Sequence, residues 1–281
     1  MHINKKYDIK IIASDLDGTL CYHHGDLILK NLLILKQALD HKIKIILTTG
    51  RPLNVTLPVV HNHKLNHGNN NEFIISYTGA SIYDLNLKKE IKQFLIPIAK
   101  IHKLWKKALE LKMQIWGYQV DELVIANNKD DNFIDFDFLI QKRNQEELIL
   151  IKDYRLITKP FYKLIVKKNP RAKINQVWLK FLQKIKIKYY GENEQFYEIL
   201  DINTSKGNAI KWIANYLNIP LDKVMSLGDA YNDVSMFKVS KISVAMKDGL
   251  KIAKKNATFI SELDHDQGAV QAAIKKYVQL T

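Results

Sequence analysis

The chain has 281 residues, of which 47% are hydrophobic, so it is long and apolar enough for one large domain or two ordinary ones. This composition excludes an intrinsically disordered chain. The formal net charge is +14, but the lysines are spread along the whole sequence and form no dedicated basic tract, so we expect no specific nucleic-acid partner.

Targeting and redox signals favour a cytoplasmic location. No apolar run approaches the roughly 18 residues that a membrane helix requires, and residues 1–8 lack the apolar region of a signal peptide. The single cysteine, Cys21, excludes an internal disulfide and suits a reducing compartment. We expect Cys21 to be a small buried residue rather than a catalytic thiol.

The first third of the chain alternates strand and helix patterns. Apolar runs predict strands at 9–14, 43–49 and 72–77. Apolar spacing predicts a helix from Leu27 to Leu39, and a second helix opens at Pro52. Such alternation predicts a parallel sheet with helices on its faces.

The last third shows the same alternation. Its predicted elements are a strand at 196–202, a helix at 205–217, a strand at 224–227, a helix from about 230, a strand at 242–246, a short helix and a final helix at 268–278.

The middle of the chain differs from both flanks. It combines long amphipathic helices, such as 98–114, with strands such as 162–168, and it carries few loop acids. We therefore predict an α/β protein with a doubly wound, Rossmann-like parallel-sheet core made of residues 1–85 and 195–281. Residues 86–194 are predicted to be an inserted α/β domain.

Two carboxylates, Asp15 and Asp17, follow the first predicted strand. Ligands of open α/β sheets bind at the carboxyl ends of strands, which is where these acids lie. A calcium loop that began at Asp15 would need Gly at its sixth position and Glu at its twelfth, but Leu20 and Asp26 stand there. Calcium is therefore excluded.

Three more polar stretches follow or begin predicted elements. After the second strand, the Thr49 hydroxyl and the Gly50 backbone N–H are available to bind an anion. Thr204 or Ser205 is predicted to cap a helix, which puts Lys206 in the first turn. A cation is unfavourable there unless an anion lies nearby.

The last of these stretches contains three groups suited to Mg²⁺. Asp229, Asn232 and Asp233 lie on the turn that follows the strand at 224–227. Magnesium is usually held by one or two carboxylates with water and substrate phosphate. The sequence therefore predicts a magnesium site at this turn.

These four motifs, in this order, resemble those of the haloacid dehalogenase (HAD) superfamily of phosphohydrolases, and within it the Cof-like hydrolases. The motifs are DxDGT at 15–19, Thr-Gly at 49–50, the helix-opening Lys206, and GDxxND at 228–233. The stretch 266–277 also looks like the closing Gly-Val helix of that family. The resemblance covers nearly the whole chain and implies that the inserted domain is a cap that selects the substrate.

The resemblance implies a role for each matching residue. Asp15 would be the nucleophile and Asp17 the general acid and base. The cofactor would be Mg²⁺, held by Asp15, Asp229 and the backbone carbonyl of Asp17. Asp233 would support Lys206 or the metal shell. The phosphate would be held by the amide of Leu16 with Thr49, Gly50, Lys206 and Asn232.

Two loops depart from the family pattern. Thr78 stands where the family has Asn, and Asp248 with Gly249 replaces a Gly-Asn-Ala loop. Both changes bear on substrate contacts rather than on the chemistry.

Two further groups of residues are better explained by structure than by chemistry. The spacing of His61, His63 and His67 fits no standard zinc site. The tryptophans of the inserted domain are predicted to form its core rather than to stack on bases, and they are Trp105, Trp116 and Trp178.

The resemblance implies a Mg²⁺-dependent phosphatase, a phosphoric monoester hydrolase whose partner is a small phosphorylated metabolite. Sugar phosphates are the first expectation, followed by flavin mononucleotide and pyridoxal phosphate. Two alternatives stay open, namely a phosphomutase of the phosphomannomutase type and a basic RNA-binding protein with a degenerate site. The sequence leaves the oligomeric state open between a monomer and a weak dimer.

Overall fold

A computed structural model of the chain describes residues 6–22, 25–63, 65, 72–119, 122–126, 147–151, 153–191 and 195–280. Eight α-helices and 14 strands lie within these ranges. The chain divides into two compact units, one formed by Met1–Gln93 with Ser205–Thr281 and the other by Phe94–Thr204.

The first unit contains an eight-stranded sheet in the order β14-β13-β12-β1-β2-β3-β4-β5. The six strands from β14 to β3 are parallel to their neighbours, whereas β4 and β5 are antiparallel additions at one edge. The strands are β1 (Ile11–Asp15), β2 (Lys44–Thr48), β3 (Phe73–Ser76), β4 (Ser81–Asp84), β5 (Lys89–Gln93), β12 (Val224–Gly228), β13 (Ile242–Ala245) and β14 (Phe259–Ile260).

The strand order contains a topological switch point. From β1 through β2 to β3 the chain builds the sheet in one direction, and from β12 through β13 to β14 it builds in the other. Strands β1 and β12 are hydrogen-bonded neighbours at this reversal. Open α/β sheets bind ligands outside the carboxyl ends of the strands at such a point. The fold therefore places the ends of β1 and β12 at the expected ligand site.

Six of the described helices belong to the first unit. They are α1 (Leu29–Asp40), α2 (Leu53–Asn62), α5 (Lys206–Tyr216), α6 (Val234–Phe237), α7 (Lys251–Asn256) and α8 (Ala269–Tyr277). Apolar residues recur on one side of α1, and Leu35 and Leu39 are buried in a core with Ile12, Val270 and Ile274. Among the described residues of the whole chain, no helix combines the length and apolar character required to cross a bilayer.

The second unit has its own sheet and its own core. Its six described strands lie in the order β10-β11-β9-β6-β7-β8, and among these strands only β7 and β8 pair in parallel. Trp105 and Trp178 are fully buried in the core, as predicted, and Trp116 is also buried. The elements are α3 (Ile98–Glu110), β6 (Ile115–Gln119), β7 (Glu122–Ala126), β8 (Glu147–Ile151), β9 (Lys163–Lys167), α4 (Ala172–Lys184), β10 (Lys188–Tyr190) and β11 (Phe196–Leu200).

The unit boundaries lie later in the chain than predicted at both crossings. Strand β5 belongs to the first unit, because it extends the β3-β4 hairpin edge of the large sheet. The strand predicted at 196–202 exists as β11, but it pairs with β9 and β10 in the second unit and not with the core sheet. A local apolar pattern predicts a strand without specifying its partner, which explains the wrong assignment.

Candidate active site

Asp15 and Lys206 meet at the switch point. Asp15 is the last residue of β1 and is buried, and Lys206 is the first residue of α5 and is fully buried. The Lys206 Nζ lies 2.5 Å from Asp15 Oδ1 and 2.6 Å from Asp233 Oδ1. The predicted conflict between a cation and the start of a helix is thus removed by two carboxylates of the protein itself.

Asp229 completes an acidic cluster. It follows β12, and its Oδ1 accepts a hydrogen bond from the Thr19 hydroxyl at 3.1 Å. Three carboxylate oxygens, one each from Asp15, Asp229 and Asp233, lie within 4.8 Å of one another. Predicted residues from three distant parts of the chain therefore come together at the ends of β1 and β12.

Asp233 already has a full set of protein donors. Its Oδ1 accepts from Lys206, and its Oδ2 accepts from the backbone N–H groups of Asp229 and Ala230, each at 2.9 Å. A carboxylate engaged in this way is suited to fixing Lys206 and the turn after β12 rather than to binding a metal directly. The supporting role of Asp233 and the metal ligation by Asp15 and Asp229 stay predictions.

Burial changes the pKa of each group in the cluster. Burial raises the pKa of Asp229 to about 6, and the charge of Asp233 adds to this effect. Burial also raises the pKa of Asp15 well above its ordinary value, although Lys206 opposes the change. For Lys206, burial lowers the pKa, but Asp15 and Asp233 outweigh it and hold the pKa above its ordinary value. Lys206 therefore stays charged.

The donor set of the cluster fits Mg²⁺. Asp15 and Asp233 contact the Lys206 ammonium group, and Asp229 lies beside these two acids, so the fully ionised cluster carries an excess of two negative charges in a buried setting. One divalent cation would offset that excess. The available ligand atoms are carboxylate oxygens, which hard cations such as Mg²⁺ prefer.

The Thr-Gly motif at 49–50 and the start of α5 lie next to Asp15. Thr49 follows β2, whose residue Thr48 is in register with Asp15. The Thr49 hydroxyl accepts from the Arg51 N–H at 3.0 Å and can still donate its own proton. Ser205 is the N-cap of α5, and its hydroxyl accepts from the Asn208 N–H at 3.1 Å. Of the two predicted caps, Ser205 is the correct one.

Asp17 is bound by a residue that the sequence reasoning missed. The Arg51 guanidinium donates to both oxygens of the Asp17 carboxylate, through Nε at 2.8 Å and through Nη2. The hydrogen bonds to Asp17 raise the pKa of Arg51. Arg51 directly follows the predicted Thr-Gly pair. A positive charge next to a predicted anion site is the sequence feature that marks Arg51 as a candidate site residue.

Leu16 and Asn232 lie beside the cluster. The Leu16 carbonyl accepts from the backbone N–H groups of Thr19, Leu20 and Cys21 at 2.8 to 3.2 Å, which folds the acid motif into a tight turn. Asn232 lies on the turn after Asp229, and its Oδ1 is buried with no hydrogen-bond partner among the described residues. Buried polar atoms normally have a partner, so a bound group is expected near Asn232.

The second departing loop packs against the backbone at Asp229. Asp248 accepts from the His265 N–H at 3.0 Å and contacts His265 Nδ1 at 2.5 Å. The Leu250 N–H donates to the Asp229 carbonyl at 2.8 Å. The loop at Asp248 therefore braces the turn that carries Asp229.

Cys21 is a buried residue, as predicted. It is fully buried, and burial raises the pKa of its thiol to about 12. The thiolate is the nucleophilic form of cysteine, so Cys21 is inert at neutral pH. The predicted absence of a zinc site cannot be followed through the whole histidine cluster, because His67 lies outside the described residues.

Comparison with known proteins identifies the family. The sequence signature described as haloacid dehalogenase-like hydrolase matches residues 12–274. The chain belongs to the haloacid dehalogenase-like hydrolases. The predicted superfamily, fold class and enzyme class, a phosphoric monoester hydrolase, are thereby confirmed.

Relatives of this HAD hydrolase match it over nearly the full length. The YxeH protein of Bacillus subtilis, whose name marks it as a candidate phosphatase, is 26% identical over 94% of this chain and 96% of its own. The YcsE protein of Bacillus subtilis, named as a 5-amino-6-(5-phospho-D-ribitylamino)uracil phosphatase, is 22% identical, with 94% of each chain covered.

Solved structures share the fold. A haloacid dehalogenase-like hydrolase from Bacteroides thetaiotaomicron superposes with a TM-score of 0.78 at 25% identity, covering 95% of this chain and 99% of its own. A subclass IIB sugar phosphatase superposes with a TM-score of 0.77 at 20% identity, covering 95% and 98%.

Proposed function

We propose that this HAD hydrolase is a Mg²⁺-dependent phosphatase of small phosphorylated metabolites that works through an aspartyl-phosphate intermediate on Asp15. The observation that carries the proposal is the placement of Lys206 between Asp15 and Asp233, with Asp229 adjacent. A carboxylate nucleophile beside an ammonium group and a divalent-cation site is the arrangement that phosphoryl transfer requires.

Electrostatics explains why Asp15 needs these neighbours. A carboxylate that approaches a phosphate monoester meets like charge, which costs about 4 kcal/mol per charge pair at 4 Å and an effective dielectric of 20. Lys206, at 2.5 Å from Asp15, offsets part of that repulsion. Asp15, Asp229 and the Asp17 backbone carbonyl would hold Mg²⁺, which supplies Lewis-acid stabilisation of the transferring phosphoryl group when bound.

The reaction has two steps. First, an Asp15 carboxylate oxygen bonds to phosphorus while the ester P–O bond breaks, and Asp17 gives its proton to the departing alcohol oxygen. Second, water attacks the phosphorus, Asp17 takes a proton from that water, and the bond to Asp15 breaks. Because Arg51 binds both oxygens of Asp17, at least one of them must be released before Asp17 can reach a leaving oxygen.

The remaining predicted groups complete the proposal. The Leu16 amide, the Thr49 hydroxyl, Gly50, Lys206 and Asn232 would bind the phosphate. The second unit is proposed to select the leaving group. Sugar phosphates are the favoured substrate class, which the fold shared with a sugar phosphatase supports, and flavin mononucleotide and pyridoxal phosphate come next. The proposal retains the predicted cytoplasmic location, on the evidence of the single buried cysteine.

The test is phosphate release from a panel of phosphorylated metabolites, with Mg²⁺ and with EDTA. We expect release that requires Mg²⁺ and that ranks the substrates. Each reaction is also analysed for isomers of the substrate. If isomers form and little free phosphate is released, the protein is a phosphomutase and not a phosphatase. If folded, Mg²⁺-bound protein yields neither product, the proposal is refuted.

A further inference from the structure

The Asp17 carboxylate is held by a two-point contact. The Arg51 guanidinium donates through Nε at 2.8 Å to one carboxylate oxygen and through Nη2 to the other. The pair is partly open to solvent, because 28% of the Asp17 side chain and 17% of the Arg51 side chain are exposed. A fork of this kind adds geometric specificity to the attraction between the charges. Arg51 therefore fixes the direction in which the Asp17 carboxylate points.

The backbone of Arg51 is anchored independently of its side chain. Its N–H donates to the Thr49 hydroxyl at 3.0 Å, and its carbonyl accepts from the Tyr77 N–H at 3.1 Å. Both contacts are made by main-chain atoms of Arg51, so glutamine or lysine at this position would keep them. A substitution of Arg51 therefore removes the guanidinium and leaves the loop after β2 in place.

The type of residue at position 51 is informative. The chain has 39 lysines and four arginines, so a site that required only a positive charge would most often carry lysine. Lysine offers a point charge on a flexible stem, whereas arginine offers a planar fork that matches both oxygens of a carboxylate. Arg51 thus supplies an orientation to Asp17 in addition to a charge.

This contact suits one of the two proposed reaction steps. A neighbouring positive charge favours an ionised carboxylate over a protonated one. A carboxylate has about four lone-pair sites, so Asp17 can accept both bonds from Arg51 and still accept a proton. The ionised form is the base that the second step requires, whereas the first step requires the protonated acid.

We propose that Arg51 is a positioning residue for the second step, in which its guanidinium holds the ionised Asp17 carboxylate toward the attacking water. In that step the water oxygen bonds to phosphorus, Asp17 takes a proton from the water, and the bond between phosphorus and Asp15 breaks. This inference rests on the proposed phosphatase function, because it assumes a phosphorylated Asp15.

The test follows the two steps separately with p-nitrophenyl phosphate and, by rapid quenching, with the best ester of the metabolite panel. The p-nitrophenolate anion departs without needing a proton, so its release reports phosphorylation of the enzyme, and release of phosphate reports hydrolysis. Arg51→Gln should lower kcat about tenfold or more, because a misplaced base loses much of its catalytic effect.

The expected pattern differs from that of a general loss of structure. KM for Arg51→Gln should fall together with kcat, so that kcat/KM stays within about threefold of the wild type, because phosphorylation is unaffected. The first product should then appear in a burst of about one equivalent per active site. Arg51→Lys keeps the charge and loses the fork, so it should show the same pattern more weakly, and it decides the test if Arg51→Gln does not fold.

Arg155→Gln is the matched control. Arg155 forms a similar contact with Asp153, with its Nε at 3.0 Å and 2.7 Å from the two carboxylate oxygens, but 75% of its side chain is exposed. Its loss should leave kcat, KM and the size of the burst unchanged.

The contrary results separate this inference from the proposed function. If Arg51→Gln and Arg51→Lys match the wild type, or if they lower kcat/KM without a burst, Arg51 does not serve the second step, while the phosphatase proposal stands. If the wild type releases phosphate from no ester, the phosphatase proposal fails first and the role of Arg51 fails with it.

Discussion

Asp229 links the protonation of the acidic cluster to the stability of the fold. Burial raises its pKa from 3.8 to about 6, so the folded chain without metal keeps a proton that the unfolded chain has released at pH 5 to 6. The free energy of unfolding should therefore fall as pH rises from about 4 to about 6, by at most about 3 kcal/mol. Mg²⁺ should restore it at pH 7.5, because the cation binds only the folded cluster.

Urea unfolding at several pH values, with EDTA and with Mg²⁺, measures this linkage. Asp229→Asn is the control, since its amide does not titrate and offers a weaker metal ligand. The difference in stability between the wild type and Asp229→Asn should change with pH in the metal-free protein. A difference that stays constant from pH 4.5 to pH 7.5 would show that Asp229 keeps an ordinary pKa in the fold.

At the level of elements, the position of α5 depends on a close approach to α6. A Cβ on Gly207 would lie 2.1 Å from the Ser235 carbonyl oxygen, which is a backbone atom. Ala is the better helix former by about 1 kcal/mol, but this contact would force the two elements apart. We expect Gly207→Ala to destabilise the fold by about 1–3 kcal/mol and to move Lys206 away from Asp233.

Thermal and urea denaturation test this expectation together with the activity assay. Lys211→Ala, an exposed change on the same helix, should alter stability by less than about 0.5 kcal/mol. If Gly207→Ala were as stable and as active as the wild type, helix propensity would outweigh the contact with Ser235.

Short apolar runs and cap residues were predictable, because their signals are local. The run that precedes Asp15 forms β1, and Ser205 caps the helix that opens at Lys206. The edge strand β5 was missed because its sequence, KEIKQ, is mostly charged and half exposed. The pairing of Arg51 with Asp17 also escaped prediction, because a long side chain can reach many partners and the sequence does not choose among them.

At the scale of the whole molecule, each unit has a separate hydrophobic core. Leu35 lies in the core of the first unit and Leu182 in that of the second, and both are fully buried. Three of the four tryptophans belong to the second unit, and Trp212 belongs to the first. Tryptophan fluorescence therefore reports mainly on the second unit, whereas far-ultraviolet circular dichroism reports on both.

Leu182→Ala should destabilise the second unit by about 2–5 kcal/mol. In urea, its fluorescence transition should move to lower concentration and separate from the main dichroism transition, because each core can unfold by itself. Leu35→Ala is the matched control and should shift the dichroism transition of the first unit instead. Coincident transitions by both probes in both variants would mean that the two units unfold as one.

Asp15 is proposed to carry the phosphoryl group during turnover. The most direct measurement is rapid acid quenching of the enzyme with Mg²⁺ and its best phosphate ester, followed by peptide mass spectrometry. We expect one phosphoryl group on the peptide that contains Asp15, and we expect neither this group nor phosphate release in Asp15→Asn. A phosphoryl group on another residue, or undiminished phosphate release by Asp15→Asn, would contradict it.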